Sequence, residues 1–187
     1  MKNWKILNKT DVSPSHWFPV VKHTVELPNG KIIDDYYVSP MGNVAIVVPI
    51  TSNNEFVLVK QYKHALGETL IELPAGWQKN GATLPETALA ELQEETGIVT
   101  TADNLFFLGK TANNPTKTNH VTYGYLARNL EFNNARQNCD ITEDIEIIKA
   151  LPSEVLEMVK NGEIWVADSV VNIIRTLFQF PDIFNRP

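Results

Sequence analysis

The sequence predicts an α+β fold in which a mixed sheet lies between helices as an α/β/α sandwich. Two β-branched runs, Asn43–Thr51 (NVAIVVPIT) and Glu55–Tyr62 (EFVLVKQY), flank Ser52-Asn53-Asn54 and read as a hairpin with at least one well-buried strand. The first convincing helix arrives only after them, and strand patterns outnumber helical ones along the chain.

Taken in order, residues 1–19 read as irregular, with Trp4 and Trp17 as isolated aromatics and Pro14 and Pro19 as punctuation. Val20–Leu27 and Ile32–Val38 form a predicted hairpin whose Asn29-Gly30 supplies the positive φ of a tight turn. Residues 1–40 are thus expected to be an extension and residues 41–187 the main domain. After the second hairpin, a short strand over Leu70–Gly76 ends in Pro74-Ala75-Gly76, whose carbonyls are expected to escape ladder pairing.

Thr83 with Glu86 is a capping-box signature, Pro85 suits the first turn, and Gly97 is placed to stop the helix, which predicts a helix from Leu84 to Thr96. Leu105–Leu108 and Val121–Ala127 read as strands around the polar loop 113–120, a place where a substrate would be read. Glu143–Ile148 (EDIEII) alternates like a half-buried strand. Ser153 is expected to cap a helix ending before Gly162, and Asp168 to cap a last helix carrying Val170, Val171, Ile173, Ile174, Leu177 and Phe178.

A chain of 187 residues, 43% hydrophobic and 20% charged, suffices for one globular domain with an extension. Its net charge of −6 and the absence of a basic patch argue against a nucleic-acid binder. The single cysteine, Cys139, excludes an intrachain disulfide, and no Cys/His cluster suggests zinc. The opening MKNWKILNKTD lacks an apolar core of signal-peptide type and no run is long enough for a membrane span, so a cytoplasmic protein is expected.

On the predicted helix, Pro85, Ala88, Leu89, Leu92 and Thr96 share one arc of about 100°, and Glu91, Glu94 and Glu95 fill the neighbouring one. Carboxylates on adjacent turns repel unless a cation sits among them, and hard divalent ions prefer such oxygen ligands. The same spacing also suits a solvated acidic face.

From Gly76 to Ile98 the chain resembles the Nudix box, G-x5-E-x7-R-E-U-x-E-E-x-G-U with U apolar. Gly76, Glu91, Leu92, Glu94, Glu95, Gly97 and Ile98 stand on its required positions. Ala82 stands where the family has Glu, and Ala90 where it has Arg.

The resemblance implies a Nudix fold, with the early hairpin similar to the extension of ADP-ribose pyrophosphatase-like members, where it serves dimerisation. A homodimer through residues 20–38 is therefore expected. It implies Mg²⁺ (or Mn²⁺) held by Glu91, Glu94, Glu95 and the Ala75 carbonyl, with Glu94 and Glu95 as catalytic groups. The additional catalytic acid of that subfamily corresponds best to Glu143, with Asp144 as neighbour; a surface acid at a strand entrance is the other reading.

The subfamily's phosphate-contacting Gln-x-Arg appears as Gln61-Tyr62-Lys63, which keeps the charge and loses the bidentate fork. Pro115 matches the subfamily, while its usual loop acid appears as His120, either a substrate contact or a solvated side chain. Gly76 and Trp77 complete the expected substrate contacts; Tyr62, Trp77 and Phe107 can each stack a base or pack in the core, and the core is the expectation for Tyr62 and Phe107. Together these point to metal-dependent hydrolysis of a nucleoside diphosphate sugar, ADP-ribose first. The alternative is a Nudix-fold nucleotide-binding module with little or no turnover.

Overall fold

The structure, a computed structural model, describes residues 2–132, 137 and 144–185. It falls into two compact units, one formed by residues up to Asn43 with Ala112–Val121, the other by Val44–Thr111 with the chain from Thr122 onward.

The first unit is a three-stranded antiparallel sheet of β1 (Lys5–Asp11), β2 (Val21–Glu26) and β3 (Ile32–Val38) in that order. The hairpin is as expected, with Gly30 at φ 84° in its turn. The irregular reading of residues 1–19 is corrected, because Lys5–Asp11 is a strand. Every residue of β1 is exposed, so no face is buried and no period-2 pattern marks it; backbone pairing to β2 makes it. Within this unit Tyr36 donates its hydroxyl proton to the Thr116 carbonyl (2.6 Å) and carries the Lys117 ammonium 5.0 Å above its ring.

The second unit is built on a seven-stranded sheet of β4 (Asn43–Thr51), β5 (Phe56–Lys63), β6 (Glu68–Glu72), β7 (Ala75–Trp77), β8 (Leu105–Ala112), β9 (Val121–Leu130) and β10 (Ile145–Ala150). The path runs β10-β5-β4-β9-β8, with β6 added to β5 and β7 to β4. The helices are α1 (Leu84–Thr96), α2 (Pro152–Lys160) and α3 (Ala167–Gln179). Among the described residues no helix is long and apolar enough to cross a membrane.

The central strand β4 feeds two cores. Ile46, Val48 and Ile50 join Phe56, Leu58, Val155 of α2 and Ile173 of α3; Ala45 and Val47 join Val57 and Ala88 and Leu92 of α1. Alternate side chains thus pack on opposite faces, which is why β4 reads as an unbroken apolar run. The expected α+β sandwich is the fold.

Local details correct the sequence reading in three places. The single strand over Leu70–Gly76 is two, because Pro74 has no N–H and the Leu73 amide donates to Ser169 Oγ at 2.9 Å; the chain leaves β5 there and joins β4. Ser153 is not the cap of α2, which begins at Pro152 after Leu151, whose amide donates to Glu154 Oε2 at 2.7 Å. Asp168 is not a cap either: α3 starts at Ala167, and Asp168 accepts the Thr122 hydroxyl at 2.7 Å.

Candidate active site

Helix α1 runs over the expected residues because its ends are closed locally. Thr83 Oγ1 accepts the Glu86 amide (3.3 Å), Glu86 Oε2 accepts the Thr83 amide (2.7 Å), and Gly97 at φ 74° donates back to the Gln93 carbonyl. The two bonds from Thr83, the amide's first and the hydroxyl's second, hold the Glu86 carboxyl below the usual carboxylate range.

Two of the three carboxylates on the acidic face are not solvated. Glu91 is 7% exposed and Glu95 2% exposed, both among the residues α1 buries against the sheet. They sit near the helix C-terminus, whose partial negative charge disfavours anions, and no basic residue lies in the last turn.

Strand β7 brings the backbone to these carboxylates. A Cβ added to Gly76 would lie 2.2 Å from Glu91 Cδ and 2.4 Å from each carboxylate oxygen, so Gly76 is where Glu91 packs. The Ala75 amide donates to Glu95 Oε2 at 3.1 Å. The Pro74 carbonyl is not free of pairing, since it accepts the Val47 amide at 2.9 Å. With Ile46 opposite Ala75, that bond makes 46 and 75 a non-hydrogen-bonded pair, so Ala75 turns its N–H and C=O away from β4, to the edge that Glu95 shares.

The third carboxylate meets a cation that sequence reasoning missed. Lys79 Nζ lies 2.9 and 3.0 Å from the two oxygens of Glu94 and 4.0 Å from Glu91 Oε1. Among the described residues no three His, Cys, Asp or Glu side chains form a preassembled metal cage. The donor set is nonetheless all oxygen, and a positive charge already sits against two of its carboxylates, so the residues suit a hard divalent cation.

Residues 41–169 match the model of the NUDIX domain, and residues 4–39 that of the nucleoside diphosphate sugar hydrolase N-terminal domain. The chain belongs to the Nudix hydrolase family. It is 31% identical over 149 residues, 80% of this chain and 79% of the relative, to an ADP-ribose pyrophosphatase of Bacillus subtilis. The same identity and coverage relate it to a methanol dehydrogenase activator of Bacillus methanolicus. The crystal structure of an ADP compounds hydrolase shares the fold, with a TM-score of 0.84 over 97% of this chain and 96% of the other at 20% identity.

Lys63, at the end of β5, lies 2.8 Å from Glu72 Oε1. Trp77 closes β7 opposite Val44 and is 44% exposed. His120 belongs to the first unit, in the 112–121 segment. Glu143 and Cys139 lie outside the described residues.

Asp144 is described, and with Lys60, Gln61, Tyr62, Thr69 and Glu146 it lines a cleft of about 380 Å³. Gln137 Nε2 donates to the Glu95 carbonyl (2.6 Å) and the Ile145 carbonyl (3.3 Å), which sets the entrance of β10 beside the carboxylate turn of α1.

Tyr62 and Phe107 are not core residues: each is 55% exposed. Tyr62 stands on that cleft, and Phe107 is on β8 at the end of the strand path, its ring 5.6 Å from that of Tyr125. Only a cation two residues after Trp77, in the loop feeding the helix, hinted at Lys79 in the sequence.

Proposed function

We propose that this Nudix hydrolase cleaves the pyrophosphate bond of a nucleoside diphosphate sugar, ADP-ribose first, to a nucleoside monophosphate and a sugar phosphate, in the cytoplasm and as a homodimer. The observation that carries the reading is the site itself. Glu91, Glu94 and Glu95 stand on the last turns of α1, with the Gly76 backbone against the first and the Ala75 amide on the last.

A divalent ion, magnesium before manganese, would be held by Glu91, Glu94, Glu95 and the Ala75 carbonyl, and it supplies the charge that lets water approach an anionic phosphate. In the reaction a water oxygen bonds to phosphorus, the bridging P–O bond breaks, and the water's proton passes to a carboxylate. Glu94, whose side chain is 34% exposed, is the carboxylate we assign to positioning that water; Glu95 holds the Ala75 amide. As the second acid we propose Glu143, on the resemblance alone, with Asp144 as its described neighbour.

Lys63 offers an ammonium to the phosphates and Gly76 close backbone approach. Trp77 offers an open aromatic face. The homodimer rests on the first unit, whose β1 is exposed throughout and which presents Ile6, Phe18 and Ile32 at 48%, 56% and 58% exposure.

The test is phosphate release in a phosphatase-coupled assay over a panel of nucleotide sugars, with Mg²⁺, with Mn²⁺ and with chelator. Release from ADP-ribose that requires metal supports the reading. Ala82 and Ala90, which leave the box without its Glu and Arg, favour the second reading, a nucleotide-binding module; binding without release across the whole panel would establish it.

A further inference from the structure

We propose that Lys79 is a tethered cation which holds Glu91 and Glu94 in the metal-free protein and competes with the divalent ion for them. The inference rests on the metal-dependent reading above and adds a regulator of metal affinity within the chain. The ammonium contacts both oxygens of Glu94, at 2.9 and 3.0 Å, and stands 4.0 Å from Glu91 Oε1. Cations crowded on the same oxygens repel, so a divalent ion bound by Glu91 and Glu94 and the ammonium at these distances disfavour one another.

The loop is built to present this side chain and to release it. The Ala82 amide donates to the Lys79 carbonyl (3.1 Å), and Gln78 Nε2 donates to the Ala82 carbonyl (2.8 Å), which pins the backbone in a turn. The Lys79 side chain itself is 60% exposed on a flexible four-carbon stem, and can leave without disturbing that turn. A cation at position 90 would be fixed on the helix; Ala90 carries none, and the charge comes instead from a movable side chain. Lys79 thereby offsets the repulsion among carboxylates set against the helix dipole until metal does so.

The test is Mn²⁺ titration of the full chain, followed by the paramagnetic signal of the free ion, for the parent, Lys79→Gln, Lys79→Arg and Glu95→Gln. Exposed ion pairs shift equilibria by up to about fivefold, so Lys79→Gln is expected to bind Mn²⁺ about two- to fivefold more tightly. Lys79→Arg is expected to stay near the parent, and the gap between Gln variant and parent to narrow in high salt. The melting temperature of metal-free Lys79→Gln is expected to fall, and its rise on adding Mn²⁺ to exceed the parent's.

Equal or weaker Mn²⁺ binding by Lys79→Gln overturns the inference. If Glu95→Gln loses binding in the same experiment, the metal reading survives that result. If the parent binds no Mn²⁺, both fall.

Discussion

Replacing Gly76 by alanine tests the geometry of the site with one methyl group. The new Cβ would lie 2.2 Å from Glu91 Cδ, whereas ordinary contact begins at 3.4 Å, so the carboxylate must retreat by roughly 1 Å. The backbone cannot easily yield, because Gly76 is laddered opposite Ala45 and Trp77 opposite Val44. Glu91 is 7% exposed, so it has to leave its rotamer or push on packed neighbours, at about 1 to 3 kcal/mol. Misplacing a reacting group by about 1 Å costs on the order of a hundredfold in rate.

Gly76→Ala is thus expected to lose about a hundredfold in kcat/KM on ADP-ribose while its urea midpoint falls only modestly. Combined with Glu91→Ala, which removes the clash, stability should recover while activity does not. Parental kcat/KM in Gly76→Ala, or a stability loss that Glu91→Ala fails to relieve, would refute the placement of Glu91 against Gly76.

Four further outcomes are expected. Glu95→Gln should keep its fold, since the amide oxygen can still accept the Ala75 N–H, yet lose at least about a hundredfold in hydrolysis with the removed charge; the check is circular dichroism beside the phosphate assay. Ala82→Glu with Ala90→Arg should raise turnover or Mn²⁺ affinity, and Ala90→Arg alone should help less, as steady-state kinetics on the three proteins would show. The Glu86 carboxyl is held low by Thr83, so its contribution is present above the ordinary carboxylate value and is lost as pH falls through the lower folded value; Glu86→Gln should flatten that acid limb of a urea midpoint against pH series. Multi-angle light scattering at micromolar concentration should give twice the chain mass, and a monomer there would count against dimerisation through residues 20–38.

What could be read from sequence depended on how far apart the deciding residues lie. Both ends of α1 were legible because Thr83, Glu86 and Gly97 close them within a turn. The hairpins were legible from Asn29-Gly30 and from β-branched runs. Strand β1 was not, because backbone pairing without a buried face leaves no periodic trace. Nor was the break at Pro74, where a residue from α3, Ser169, takes the Leu73 amide across 96 positions of sequence.

In the site, the carboxylates were visible as spacing, but the burial of Glu91 and Glu95 was not, since it is the distant backbone of β7, at Gly76 and Ala75, that lies against them. Tyr62 and Phe107 misled for the matching reason: an aromatic in a strand is buried only if something lies over that face. Lys79 escaped because an ion pair from loop to helix has no local signature.

The alternation along β4 gives the protein two interiors that share a wall. One, through Ala45 and Val47, ends at the helix proposed to carry the chemistry; the other, through Ile46, Val48 and Ile50, ends at α2 and α3. Changes to side chains in well-separated parts of a protein add nearly independently. An engineer seeking heat resistance would therefore work on the α2–α3 side and treat the α1 side as an instrument already tuned. Natural drift meets the same asymmetry: neighbouring positions in one strand, 46 and 47, answer to different demands.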